Sequence, residues 1–120
     1  SFGLKYDGKN REANKSTQWH IDKERDIYWI YLGGGALERP YTYVLIWNNK
    51  SVVIDAEIRG TKTEEHWIIK KIKASQELKI YKSELIEIIK EAVQSMYCVK
   101  TVIFKAIPDI TFVSEDMLNG

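Results

Sequence analysis

The sequence predicts an α+β fold: a mostly antiparallel meander sheet of five to six strands, with one amphipathic helix at about 83–97 packed on one face. Segments rich in β-branched and aromatic residues alternate with short turn signals, which is typical of antiparallel neighbours. One later segment instead repeats its apolar residues at helical spacing. With 120 residues, 44% hydrophobic and 29% charged, the chain has the size and composition of a single domain, residues 1–120, with its own core.

The first strands form a hairpin after a polar N-terminal segment. Residues 1–16 contain several Gly and Asn residues, so we expect a loosely ordered arm. The segments 18–21 and 27–32 are dominated by β-branched and aromatic residues, and they flank a charged, turn-like stretch. The second segment is apolar on both faces, which is typical of a central strand covered on both sides.

A second hairpin follows the Gly33-Gly34-Gly35 break. Its strands, 41–47 and 51–59, are joined by Asn48-Asn49-Lys50, a tight-turn signal because Asn tolerates positive φ. A two-residue turn places one apolar set on a shared core face: Tyr41, Tyr43, Leu45, Trp47, Val52, Ile54, Ala56 and Ile58. The other face carries Val44, Ile46 and Val53 near the turn, and Asp55, Glu57 and Arg59 farther away.

Residues 64–74 fit two interpretations. The segment resembles an edge strand whose lysines discourage pairing with other chains. It also follows Thr61-x-x-Glu64, which has the form of a capping box and would open a helix. We predict the strand, because a long hairpin with the preceding strand continues the meander.

The helix has the strongest local pattern. Ser83 is the predicted N-cap and Glu84 occupies the first turn, where a negative charge is favourable. The apolar residues that follow at helical spacing are Leu85, Ile86, Ile88, Ile89, Ala92, Val93 and Met96. Residues 99–107 predict a final strand, which Pro108 ends.

No residue pattern predicts catalysis, a metal site or a cofactor. The two histidines are isolated and the chain has one cysteine, so metal-ligand spacings are missing from the sequence. His20 beside Asp22 is interpreted as part of an exposed hairpin, and Gly33-Gly34-Gly35 lacks the features of a phosphate-binding loop. The paired carboxylates Asp55 and Glu57 are interpreted as a solvated strand face. We therefore predict that the chain is not an enzyme.

The bulk properties also predict a compartment. A single cysteine, Cys98, fits a reducing environment. No apolar run is long enough to span a membrane, and the N-terminal residues lack the apolar core of a signal peptide. We therefore expect a cytoplasmic protein without a membrane partner.

The sheet predicts a partner-binding surface. Both of its faces carry apolar residues, and one helix covers only one face. The N-terminal arm, the C-terminal tail or a partner protein could cover the other face, and we predict the partner, since sizeable exposed apolar patches mark interaction sites. Tyr and Trp, which are enriched at interfaces, are abundant in this chain. The predicted partner-binding residues are Tyr28, Trp29, Tyr31, Asp55 and Glu57.

This profile resembles bacterial immunity proteins of contact-dependent growth-inhibition and polymorphic-toxin systems. The likeness is to small α+β binders with Tyr/Trp-rich hairpins, and it is carried by Tyr28-Trp29-Ile30-Tyr31-Leu32-Gly33-Gly34-Gly35 and Tyr41-Thr42-Tyr43-Val44-Leu45-Ile46-Trp47-Asn48-Asn49. The resemblance implies tight binding to one cognate toxin domain, often a nuclease, whose functional site it blocks. The net charge of +1 departs from the acidic type expected against a basic nuclease.

The alternative hypothesis is a small nucleic-acid-binding module. Lysines concentrate in residues 62–82, and Lys70, Lys71 and Lys73 are its predicted phosphate contacts. A lysine-guarded edge strand explains the same residues, and the near-neutral chain lacks the basic bias of a dedicated nucleic-acid binder. Protein binding is therefore the favoured prediction.

Overall fold

The computed structural model describes residues 18–35, 40–61, 64–105 and 110–119, and it confirms the α+β class. The elements in chain order are β1 (Gln18–Asp22), β2 (Ile27–Gly33), β3 (Tyr41–Trp47), β4 (Lys50–Gly60), β5 (Glu65–Ser75), a 3₁₀ helix (Gln76–Tyr81), α1 (Lys82–Tyr97), β6 (Thr101–Phe104), β7 (Ile110–Val113) and α2 (Glu115–Asn119). The predicted N-terminal arm, residues 1–16, lies outside the described residues.

Within the described residues the sheet has seven strands, and the first five form the predicted antiparallel meander. After β5 the chain passes through α1, and β6 and β7 then pair with β5 in parallel. β6 lies beside the first half of β5 and β7 beside its second half. The prediction of a strand at 64–74 is confirmed, but its position at the sheet edge is wrong, because β5 has neighbours on both sides.

The β3–β4 turn fixes the register of the central hairpin. Asn48 and Asn49 have φ values of 50° and 66°, and Trp47 pairs with Lys50 across them. Two successive residues with positive φ form the tight hairpin turn whose twist suits antiparallel strands. The resulting pairs Tyr43↔Ile54 and Leu45↔Val52 confirm the predicted core face.

The core lies between this face and α1. The helix buries Leu85, Ile88, Ile89, Ala92, Val93, Met96 and Tyr97 against the sheet. Tyr97 lies among the aromatic side chains of three strands: Trp29 donates a 2.8 Å hydrogen bond from Nε1 to its hydroxyl, and its ring lies 4.8 Å from that of Trp67. Aromatic pairs at such distances add to the free energy gained from burial.

Two predicted boundaries differ from the structure. The 3₁₀ helix runs directly into α1, so Ser83 lies inside α1 and does not cap it. Ser75 caps the preceding 3₁₀ helix, where its Oγ accepts a hydrogen bond from the Glu77 amide at 3.4 Å. The Thr61 hydroxyl does accept from the Glu64 amide at 3.2 Å, but this bond precedes a strand. The strand predicted at 99–107 begins later, with β6 at Thr101, and residues 106 and 107 lie outside the described residues. The sequence did not predict β7 or α2.

Candidate functional site

The sheet face opposite α1, here called the outer face, is built by strand alternation. Because side chains alternate across a strand, the register determines which residues share this face. The pairs Tyr28↔Ile46, Val44↔Val53 and Asp55↔Lys71 place these residues together. The outer face contains His20, Tyr28, Ile30, Leu32, Thr42, Val44, Ile46, Val53, Asp55, Glu57, Arg59, Ile68, Lys70, Lys71, Lys73 and Ile103.

One part of the outer face is aliphatic. Val44, Ile46 and Val53 are partly buried on the central strands. Leu32 on β2 is 41% exposed and Ile103 on β6 is 45% exposed. An apolar surface of this kind on a sheet face is typical of an interaction site.

Beside it lies a charged strip, formed by Asp55, Glu57, Arg59, Lys70, Lys71 and Lys73. Lys70 Nζ donates to one oxygen of Glu57 at 2.9 Å, and Arg59 Nε donates to the other at 3.0 Å. The pKa of Glu57 therefore lies below its usual value, first because of the Lys70 hydrogen bond and then because of the one from Arg59. Asp55 accepts a 3.0 Å hydrogen bond from the Thr42 hydroxyl. Both carboxylates are thus already hydrogen bonded within the sheet.

A β-bulge in β5 brings Lys70 to this strip, whereas Lys71 and Lys73 lie there through their ordinary pairing with Asp55 and Val53. The register shifts between Asp55↔Lys71 and Ala56↔Ile69, so Lys70 is an extra residue on the β5 side. Such an extra residue bends the strand and redirects the side chains beside it. Lys71 is exposed, and within the described ranges neither it nor Lys73 forms a side-chain hydrogen bond or an ion pair.

The edge of the outer face carries a stacked pair on β1 and β2. The rings of His20 and Tyr28 lie 4.2 Å apart and nearly parallel, at 7°. His20 Nε2 is 3.3 Å from Asp26 Oδ1, without hydrogen-bond geometry. Asp22 is separate: it accepts from the Arg25 amide at 3.0 Å and from Arg25 Nε at 2.8 Å, so it does not orient the histidine.

The predicted partner-binding residues divide between two faces. Tyr28, Asp55 and Glu57 lie on the outer face, but Trp29 is fully buried and Tyr31 is 5% exposed against the helix side. Their assignment to a partner surface is corrected, since neither side chain is accessible. Because β2 is apolar on both faces, its alternation alone did not show which residues face the core. The pairing of Trp29 with Leu45 and of Tyr31 with Tyr43 places both on the core face.

Sequence reasoning missed two contributors to the site and misinterpreted two others. Leu32 and Ile103 extend the aliphatic part. Alternation along β2, from Tyr28 through Ile30 to Leu32, was the signal for Leu32. Lys71 and Lys73 were attributed to a sheet edge, whereas they lie on the face of an interior strand. No local pattern reveals that position, because it depends on where β6 and β7 pair.

None of the described helices has the length and apolar character needed to cross a bilayer. Among the described residues, no three His, Cys, Asp or Glu side chains form a group that could hold a metal ion. Comparison with protein-family models, with curated proteins and with solved structures gave no match.

Proposed function

We propose that this chain is a protein-binding inhibitor of the immunity type, which neutralises a cognate toxin domain by covering its functional surface with the outer face. The observation that carries this proposal is the two-sided sheet. Its aromatic face is buried under α1, and its opposite face combines exposed aliphatic side chains with a charged strip. Apolar area surrounded by polar groups is the usual composition of a specific protein interface.

The size of the outer face supports this role. Adjacent strands lie about 4.8 Å apart, so a sheet of this width spans roughly 25–30 Å. The molecule measures 37 × 30 × 25 Å, which leaves room for a face of that extent. An ordinary specific interface needs about 800 Å² from each partner, and a sheet face of these dimensions can supply it.

The hydrogen bonds of Asp55 and Glu57 favour a role in binding over a role in catalysis. Glu57 is held by Lys70 and Arg59, and Asp55 by Thr42. A general acid or base must exchange protons with a substrate within hydrogen-bond reach. Both groups are instead engaged in bonds that orient the strip, which suits a surface with a fixed charge pattern.

The experiment takes the protein encoded by the adjacent gene as the candidate toxin. It co-expresses this protein with the chain, and measures growth of the host and formation of a purified complex. We expect the wild-type chain to restore growth. Val44→Arg lies at the centre of the outer face, where contacts usually contribute most to affinity, so it should weaken the complex by tenfold or more. Leu32→Arg and Ile103→Arg, nearer the borders, should have smaller effects.

Ile80→Arg is the matched control, because Ile80 is 82% exposed on the 3₁₀ helix, whose residues Leu78 and Tyr81 pack on the helix side of the sheet. It makes the same type of change and should leave protection intact. Circular dichroism and thermal melts verify that each variant is folded. Full protection by all three outer-face variants, or the lack of any complex with the wild-type chain, contradicts the proposal.

A further inference from the structure

We propose that the partner surface that meets the outer face is apolar at its centre and acidic on one side, where its carboxylates pair with Lys71 and Lys73. This inference rests on the proposed function and adds the chemistry of the partner. It depends on three observations: where β5 lies in the sheet, which lysines already have a counter-ion, and what surrounds them.

The position of β5 removes the ordinary explanation of its lysines. Lysines on an edge strand prevent unwanted pairing with other chains. β5 pairs with β4 on one side and, on the other, with β6 at residues 66–69 and with β7 at residues 72–75. Lys73 therefore lies within a paired stretch and Lys71 directly beside one, so protection of a free edge does not account for them. Its lysines lie on the face of an interior strand, next to aliphatic side chains.

The charge of the strip is unbalanced. It contains four basic and two acidic side chains, and Glu57 is already bonded to Lys70 and Arg59. The remaining carboxylate, Asp55, is the register neighbour of Lys71 but bonds to Thr42. The surplus positive charge therefore lies at Lys71 and Lys73, which have no counter-ion among the described residues.

The surroundings favour a protein partner over a nucleic acid. Surfaces that bind single strands stack bases on aromatic side chains. The register neighbours of these two lysines are Val53, Asp55 and Thr111, and none of the three is aromatic. Asp55 and Glu57 on the same strip repel phosphates. A protein surface can match both properties, by placing apolar side chains opposite the aliphatic part and carboxylates opposite the lysines.

Complementary charge at the border of an interface mainly accelerates association and selects the partner. The test therefore measures affinity and association rate for the complex with the adjacent gene's product, at low and at physiological salt. Lys71→Glu/Lys73→Glu should weaken binding by about tenfold or more, chiefly by slowing association, and should abolish the salt dependence. Lys90→Glu/Lys100→Glu is the matched control: it makes the same change of net charge at exposed positions on and after α1, and should have little effect.

The outcomes separate this inference from the proposed function. A complex that depends on Val44 but tolerates Lys71→Glu/Lys73→Glu as well as the control overturns the acidic partner and leaves the inhibitor role standing. No complex at all overturns both. Retardation of a single-stranded oligonucleotide that is lost in the Lys71→Glu/Lys73→Glu variant, with no protein complex, assigns the lysines to nucleic acid instead.

Discussion

Two buried tryptophans differ in the partner of their indole N–H group. Trp29 donates to the Tyr97 hydroxyl at 2.8 Å. Trp67 is fully buried too, yet its Nε1 has no acceptor within the described part of the chain. A buried donor left without a partner costs about 1–3 kcal/mol, so the two residues contribute differently to stability although their burial is the same.

We therefore expect Trp67→Phe to be less damaging than Trp29→Phe. Both changes lose similar ring volume, but only Trp29→Phe breaks a hydrogen bond and leaves the Tyr97 hydroxyl without that donor. The difference in the free energy of unfolding should be about 1–2 kcal/mol, measured by urea denaturation. Equal losses of the free energy of unfolding in the two variants would show that the indole hydrogen bond of Trp29 does not contribute to stability.

A second prediction at this scale concerns acid stability. Burial raises the pKa of Asp22, but the backbone and side-chain hydrogen bonds from Arg25 and its positive charge outweigh burial, so the pKa lies below its usual value. Because the folded state prefers the charged carboxylate, Asp22 stabilises the fold above its unfolded pKa of about 3.9. That contribution is lost as the pH falls below this value and through the lower folded pKa.

Asp22→Asn tests this linkage. At pH 7 the variant should be less stable by about 1–3 kcal/mol, because the charged hydrogen bonds from Arg25 are weakened. Below pH 4 the two stability curves should approach each other, since the wild-type carboxylate becomes protonated. Thermal melts from pH 7 to pH 2 measure the curves, and a gap that stays constant over this range would contradict the assignment.

At the scale of elements, the β3–β4 turn determines the register of the central hairpin. Both of its residues have positive φ, and the Asn48 amide also donates to the Asp26 carbonyl at 3.3 Å, which links the tips of two hairpins. Asn and Gly adopt this conformation at low cost, whereas other residues lose roughly 1–2 kcal/mol. The turn is thus a local sequence signal with a consequence for both faces of the sheet.

Substitution of Asn49, whose φ is 66°, tests that dependence. Asn49→Gly should be neutral or slightly stabilising, and Asn49→Val should lower the free energy of unfolding by about 1–2 kcal/mol. Chemical denaturation of the pair gives the comparison. If Val is tolerated as well as Gly, positive φ at this position does not limit the hairpin.

Elements with local sequence signals could be predicted, and elements defined by long-range pairing could not. The Asn48-Asn49 turn and the apolar spacing of α1 are local signals, and both elements were predicted closely. β6 and β7 are four residues each and pair in parallel with β5 after the chain has crossed the sheet, so nothing near them in sequence reveals their pairing. The edge interpretation of β5 failed for that reason.

At the scale of the whole molecule, the sheet separates the core under α1 from the outer face. The sequence predicted the two-sided apolar sheet, and hence a site on the side away from the helix. It did not predict which alternating set of β2 faces α1, because both sets are apolar; Trp29↔Leu45 pairing decides it. The candidate site therefore kept Tyr28, Asp55 and Glu57, lost Trp29 and Tyr31, and gained Lys71 and Lys73 through an interior strand.

The separation of the two faces of the sheet has a consequence for fluorescence. All four tryptophans, Trp19, Trp29, Trp47 and Trp67, lie on the helix side of the sheet, in or against the core. Their intrinsic fluorescence will therefore report whether α1 is docked, and it will respond little to a molecule that arrives on the other side. Tryptophan emission thus follows folding and not binding at the outer face, and an emission change on partner binding would mean that packing on the helix side of the sheet has changed.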